Sequence, residues 1–151
     1  MSELKQGDKS PNFSGNDQNG EKITLSDYSD KKLILFFYPK DNTPGCTKEA
    51  CNLRDNYELL LDKGFSIIGV SADDQQRHKK FIDKFNLPFP LIADVDKEII
   101  TAFGCWGLKK FMGKEYDGIF RKTFIIDKGI IVKVFEKVKT NDHTNQILNE
   151  L

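Results

Sequence analysis

Residues 33–55 read LILFFYPKDNTPGCTKEACNLRD, and the fold turns on how that stretch divides. Leu33 to Tyr38 is a continuous apolar run stopped by Pro39, the pattern of a strand buried on both faces. Thr43-Pro44 then supplies an N-cap and a proline for the first helical position, so a helix starts there. Cys46, Ala50, Leu53, Tyr57 and Leu60 recur at spacings of four and three, which predicts one amphipathic helix ended by Gly64. Cys46 falls in its first turn, and Cys51 follows at a spacing that suits neither a zinc knuckle nor a CxxC redox motif.

Working outward, Phe65–Val70 reads as a second buried strand and Asp74–Phe85 as a second helix with Phe81 and Phe85 on its core side. Leu91-Ile92 is a short third strand, and Asp96–Phe103 a short helix. A glycine-bearing loop is expected from Gly104 to Gly118. Thr123–Asp127 and Ile130–Phe135 flank Lys128-Gly129, a hairpin signal, and a last helix runs from about His143 to Leu151. This order predicts one α/β domain over residues 1–151, a mixed central β-sheet flanked by helices. A thioredoxin-like arrangement fits it, as do other small α/β folds.

Composition narrows the function classes. The chain has 151 residues, enough for a core without disulfide staples. Basic and acidic residues both number 23, so no polyanionic partner is indicated and nucleic-acid binding is not expected. No apolar run is long enough for a bilayer, and the first residues, MSELKQGDKSP, carry no apolar signal core, so a cytoplasmic protein is expected. Three cysteines are too few, and odd in number, for a secreted disulfide framework. In a reducing compartment paired thiols point to catalysis or metal binding.

Helix starts favour an anion, and the thiolate is the reactive form of cysteine. Cys46 also lies past the carboxyl end of a central strand, where open α/β sheets place their sites. The flanking Thr-Pro-Gly turn is expected to expose it, against the reading of a small buried residue. Zinc needs about four Cys, His or carboxylate ligands. Beyond the cysteines the chain offers His78, amid DDQQRHKK on a solvated helix face, and His143 at the start of the last helix. Both are expected at the surface without a ligand-like neighbour, so no metal is expected. A Cys–His hydrolase is disfavoured for the same reason. That leaves a thiol activated by a helix dipole and a cation. Of three arginines, Arg54 lies about 12 Å along the helix from Cys46, and Arg77 belongs to a charged face. Arg121 opens RKTFIID and can reach the sheet's end, where its planar fork suits an oxygen-bearing substrate, against the alternative of a plain surface arginine.

At these residues the chain resembles a known family. FYPKDNTPGCTKEACNLRD is similar to the active-site segment of the peroxiredoxins, with Pro39, Thr43 and Cys46 on the pattern Pro-x-x-x-Thr-x-x-Cys. Cys51, together with GDKSPNFSGNDQNGEKITLSDY, KFMGKEYDGIFR and TFIID, resembles the bacterioferritin comigratory protein, or peroxiredoxin Q, subfamily. The resemblance implies a thioredoxin-fold thiol peroxidase for hydrogen peroxide and small organic hydroperoxides. It implies Cys46 as the peroxidatic nucleophile, Cys51 as its disulfide partner, and thioredoxin or a similar dithiol as reductant. Thr43 and Arg121 are implied to hold the peroxide oxygens, and Pro39 to shield Cys46 from water. A monomer without cofactor is expected. Cys105, in FGCWG, is outside the family pattern and is expected to fill an apolar slot beside Trp106; Tyr38 and Trp106 are read as core packing. Two rivals stay open: a disulfide oxidoreductase on the same fold, disfavoured by the missing CxxC, and a redox-sensing or chaperone-like module using the same disulfide as a switch.

Overall fold

The computed structural model describes residues 3–151. Its centre is a five-stranded mixed sheet. The apolar run forms β3 (Lys32–Phe37), paired parallel to β4 (Phe65–Ser71) and antiparallel to β8 (Lys122–Asp127). Strand β5 (Leu91–Ala93) adds beyond β4, and β9 (Ile130–Phe135) adds beyond β8 through the Lys128-Gly129 turn. Alternate side chains of β3 feed two cores: Leu33, Leu35 and Phe37 enter one, Ile34 and Phe36 the other. Every β3 residue from Leu33 onward is buried, as the unbroken run requires.

On the Ile34 face lie α1 (Pro44–Asp55), α2 (Tyr57–Asp62), α3 (Gln75–Phe85) and α5 (His143–Asn149). The other face is covered by α4 (Glu98–Ala102), with Ile99, Ile100 and Phe103 against Phe37 and Phe124. The helix expected from Thr43 to Gly64 is two helices. Asn56 breaks it, its side-chain amide donating to the Asn52 carbonyl at 2.8 Å, so a side chain competes for the helical acceptor.

Two further elements differ from expectation. A short hairpin of β1 (Ser14–Asn16) and β2 (Lys22–Thr24) precedes β3, invisible in sequence because only Ile23 of its strands is buried. Gly15 permits it to dock: a Cβ there would meet Ile92 Cγ2 at 2.6 Å. The expected loop from Gly104 to Gly118 is instead the hairpin β6 (Trp106–Phe111) and β7 (Lys114–Ile119). Its two-residue turn, Met112-Gly113, has φ of 51° and 79°, the left-handed pair of a tight hairpin turn. Trp106 lies on this hairpin 37% exposed with the Lys97 ammonium over its ring, so it is not core packing, whereas Tyr38 is fully buried.

Candidate active site

Four segments meet at the carboxyl end of β3: the loop leaving that strand, the start of α1, the approach to β8, and the start of α5. Pro44 occupies the first position of α1, and Thr43 precedes it in extended backbone as N-cap. The Thr43 hydroxyl does not cap the helix; it donates to the Lys40 carbonyl at 2.8 Å. The helix-start N–H groups therefore stay uncapped by that side chain, and the hydroxyl oxygen keeps lone pairs free to accept. Pro39, half-buried, starts the loop.

Cys46 is 2% exposed, contrary to the exposure expected of the Thr-Pro-Gly turn. What covers it comes from distant sequence. Arg121, immediately before β8, donates from Nη2 to Cys46 Sγ at 3.3 Å and from Nη1 to Glu49 Oε1 at 2.8 Å. One guanidinium thus bridges the thiol and a carboxylate. Gly45 makes room for it, since a Cβ there would stand 3.1 Å from Nη2. Pro39, Thr43, Cys46 and Arg121, the residues singled out in the sequence, are thus brought to one end of the sheet, with a direct contact between the last two.

Glu49 escaped the sequence reading. It is fully buried, and among the described residues its Oε2 has no hydrogen-bond partner, lying 3.7 Å from His143 Nε2. Burial pushes its carboxyl up to about 7, the Arg121 charge and hydrogen bond offsetting only part. The available signal was an acid three residues past Cys46, hence on the same helical face as an apolar stripe. His143, expected at the surface, is buried: Nε2 meets Thr123 Oγ1 at 2.8 Å and Nδ1 meets Gln146 Oε1 at 2.9 Å. Burial lowers its imidazole to about 4. Lys109 of β6 adds a half-buried cation, its Nζ donating to the Ile119 carbonyl at 2.9 Å. Burial and the Arg121 charge lower its proton affinity, while the Cys46 sulfur raises it.

His78 is also buried, not on a solvated face, and it does have carboxylate neighbours. Its ligand atoms, with those of Asp41 and Asp73, lie within 4.8 Å of one another. Nδ1 meets Asp41 Oδ2 at 2.7 Å and Nε2 meets the Ile92 carbonyl at 2.9 Å, so both ring nitrogens are committed to hydrogen bonds.

The other two thiols differ from Cys46. Cys51 is half-buried on α1; burial raises its thiol, with Arg54 offsetting part. Cys105 is fully buried in the core on the opposite face of the sheet, its thiol pushed up to about 12.

The folded-state carboxyl of Glu49, near 7, lies above the ordinary 4.5, so the folded site binds its proton more tightly than an unfolded chain does. That contribution to stability is complete below about 4.5 and is lost as pH rises through about 7. Glutamine mimics the protonated form at every pH. The stability of Glu49→Gln relative to the unmodified protein is expected to rise from pH 5 to pH 8 in thermal melts. A flat or falling difference would place the Glu49 carboxyl at an ordinary value.

The sequence profile of the AhpC/TSA family matches residues 6–134. Peroxiredoxin Bcp of Bacillus subtilis (strain 168) is 49% identical over 96% of this chain and 93% of its own length. A mutant of Xylella fastidiosa PrxQ superposes with a TM-score of 0.92 at 32% identity, covering 99% of this chain and 96% of that one. A Xanthomonas campestris bacterioferritin comigratory protein, solved in work on its alkyl peroxide reduction activity, has a TM-score of 0.85 at 32% identity, over 91% and 88% of the two chains.

Proposed function

The chain belongs to the AhpC/TSA family and is a peroxiredoxin, a thiol peroxidase, and on that premise we propose that Cys46 is its peroxidatic nucleophile and Cys51 the resolving thiol. The Cys46 thiolate attacks one oxygen of the peroxide: an S–O bond forms, the O–O bond breaks, and the electron pair departs on the second oxygen. That oxygen takes a proton and leaves as water or an alcohol, and Cys46 becomes a sulfenic acid. Cys51 then attacks the Cys46 sulfur, an S–S bond forms, and the sulfenic oxygen leaves as water. Thioredoxin or a similar dithiol reduces the disulfide.

The observation that carries this reading is the Arg121 fork, with one arm 3.3 Å from the Cys46 sulfur and the other held by Glu49. A preorganised cation there stabilises the thiolate and then the charge moving onto the leaving oxygen. Thr43 accepts the peroxide O–H, its own proton being committed to Lys40. Pro39 closes the loop side against water. Substrates are hydrogen peroxide and small organic hydroperoxides, the latter supported by the alkyl peroxide activity named for the Xanthomonas protein. The protein is proposed to act as a single-domain cytoplasmic monomer; among the described residues no helix is long and apolar enough to cross a membrane.

A peroxide-consumption assay with a thioredoxin regenerating system tests the whole cycle. Rapid multiple turnover supports it. A single stoichiometric oxidation would indicate a sensor, and insulin-type disulfide reduction without peroxide turnover would indicate a disulfide oxidoreductase. Arg121→Lys is expected to slow peroxide attack by on the order of 2–4 kcal/mol in activation free energy while leaving the fold intact. One ammonium cannot reach both Glu49 and Cys46 in the plane the fork provides. Unchanged second-order rates with peroxide would remove Arg121 from the chemistry.

A further inference from the structure

We propose that Asp41 and His78 form a latch that fixes the loop carrying Pro39 and Thr43, making His78 a positioning residue for peroxide binding. The inference rests on the assignment of Cys46, Thr43 and Pro39 above and adds the device that holds them.

Asp41 lies midway between Pro39 and Thr43, and three of its polar groups are tied. Its Oδ1 accepts from the Tyr38 hydroxyl. Its Oδ2 meets His78 Nδ1 at 2.7 Å, and its backbone N–H donates to Asp73 Oδ2 at 2.8 Å. The partners are themselves anchored. His78, on α3, meets the Ile92 carbonyl of β5 through Nε2, and Asp73 accepts from Ser71 Oγ at 2.7 Å. A carbonyl can only accept, so Nε2 carries a proton, and the contact at Nδ1 is a hydrogen bond through a second proton held between the ring and the Asp41 carboxyl. Tyr38, His78, Asp41 and Asp73 are all buried.

The loop needs such a hub. Asn42, the next residue, sits at φ 59°, a left-handed backbone that an unsupported chain leaves readily. A groove of about 390 Å³ runs between the loop and α3, with Asp41, Asp73 and Phe81 in its lining beside Lys40, Asn42 and Lys84. Across it the tie is an exposed hydrogen bond from Lys84 Nζ to Asn42 Oδ1 at 3.2 Å. The buried polar contacts at Asp41 thus tie the loop to α3 and to the segment before it. Thr43 is two residues further on, and its hydroxyl is aimed by the Lys40 carbonyl within the same loop. If the hub relaxes, the acceptor for the peroxide moves. The Cys46 sulfur, on α1 and paired with Arg121, stays.

That asymmetry supplies the test. Peroxide reduction needs the Thr43 and Pro39 geometry, whereas iodoacetamide, reaching the same buried sulfur, needs the thiolate but no acceptor for a peroxide O–H. Asp41→Ala and His78→Leu are each expected to slow peroxide reduction at least about tenfold while changing alkylation less than about threefold. Asp41→Asn retains an acceptor for Tyr38 and can donate to Nδ1, so it is expected to recover most of the peroxide rate. Thermal melts confirm folding at the assay temperature. Should a single variant fail to fold, the double variant Asp41→Ala/His78→Leu strands no buried charge and is expected to show the same split. Equal slowing of both reactions, an unchanged peroxide rate, or an Asn variant no better than Ala would each overturn the latch. The nucleophile assignment fails separately: it is wrong if alkylating Cys46 in the unmodified sequence leaves peroxidase turnover in place.

Discussion

Cys46→Ser is expected to abolish peroxide turnover while leaving the fold and the Arg121–Glu49 pair intact. The substitution exchanges sulfur for oxygen at a buried site at almost no cost in shape, but a hydroxyl is not ionised at neutral pH and does not attack an O–O bond. Neither of the other two thiols is placed to take over. Cys105 lies in the core beyond the sheet with its thiol pushed up to about 12 by burial, so it carries almost no thiolate. Cys51 has a thiol raised by burial, and the cation nearest it, Arg54, is committed to the Phe85 carbonyl at 2.7 Å and to Asp55. Peroxide consumption in the presence of a dithiol system, with a thermal melt as control for folding, measures the effect. Retention of a tenth of the turnover would mean that another group is the nucleophile.

The parts of this site legible in the sequence are those that local rules determine. The run from Leu33 to Tyr38 has the pattern of a strand with both faces covered, and Thr43-Pro44 that of a helix start, so Cys46 in a first helical turn followed from adjacent residues. Arg121 was reachable because its fork chemistry and its place before a strand both pointed to the sheet's end. The misjudged residues owe their environment to partners far along the chain. His78 looked solvated among charged neighbours, yet Asp41 and Ile92 close over its ring. His143 is buried through Thr123, and Cys46 through Arg121, contacts that no periodicity encodes. The β6–β7 hairpin was missed for a related reason. Among the described residues its strands pair only with each other, and Leu108, Met112 and Tyr116 are exposed, so the apolar alternation that marks a strand is absent.

The spacing of Cys46 and Cys51 sets the second large effect, Cys51→Ser. Both thiols are free and lie on α1, which runs as a regular helix from Pro44 to Asp55. Residues five apart in such a helix sit about 140° around the axis and about 7.5 Å along it, with Cα atoms about 8.7 Å apart. A disulfide needs Cα atoms within about 7 Å and side chains turned toward each other. The disulfide proposed between Cys46 and Cys51 therefore cannot form until the first turns of α1 unwind. In the proposed cycle, unwinding breaks the contacts of Arg121 with Cys46 and Glu49, so the segment proposed to activate the thiol is dismantled before the thiol is recycled. While the helix stays formed, the sulfenate is exposed to a second peroxide and to irreversible sulfinic oxidation. Cys51→Ser is accordingly expected to reduce one molar equivalent of peroxide, fail to cycle with thioredoxin, and over-oxidise readily, all visible by mass spectrometry. Amide hydrogen exchange tests the motion itself, with residues 46–54 expected to be protected in the reduced protein and to lose that protection in the disulfide form. Equal protection in both forms would exclude an intramolecular bond across this helix, and Cys51 would have to resolve Cys46 between two molecules.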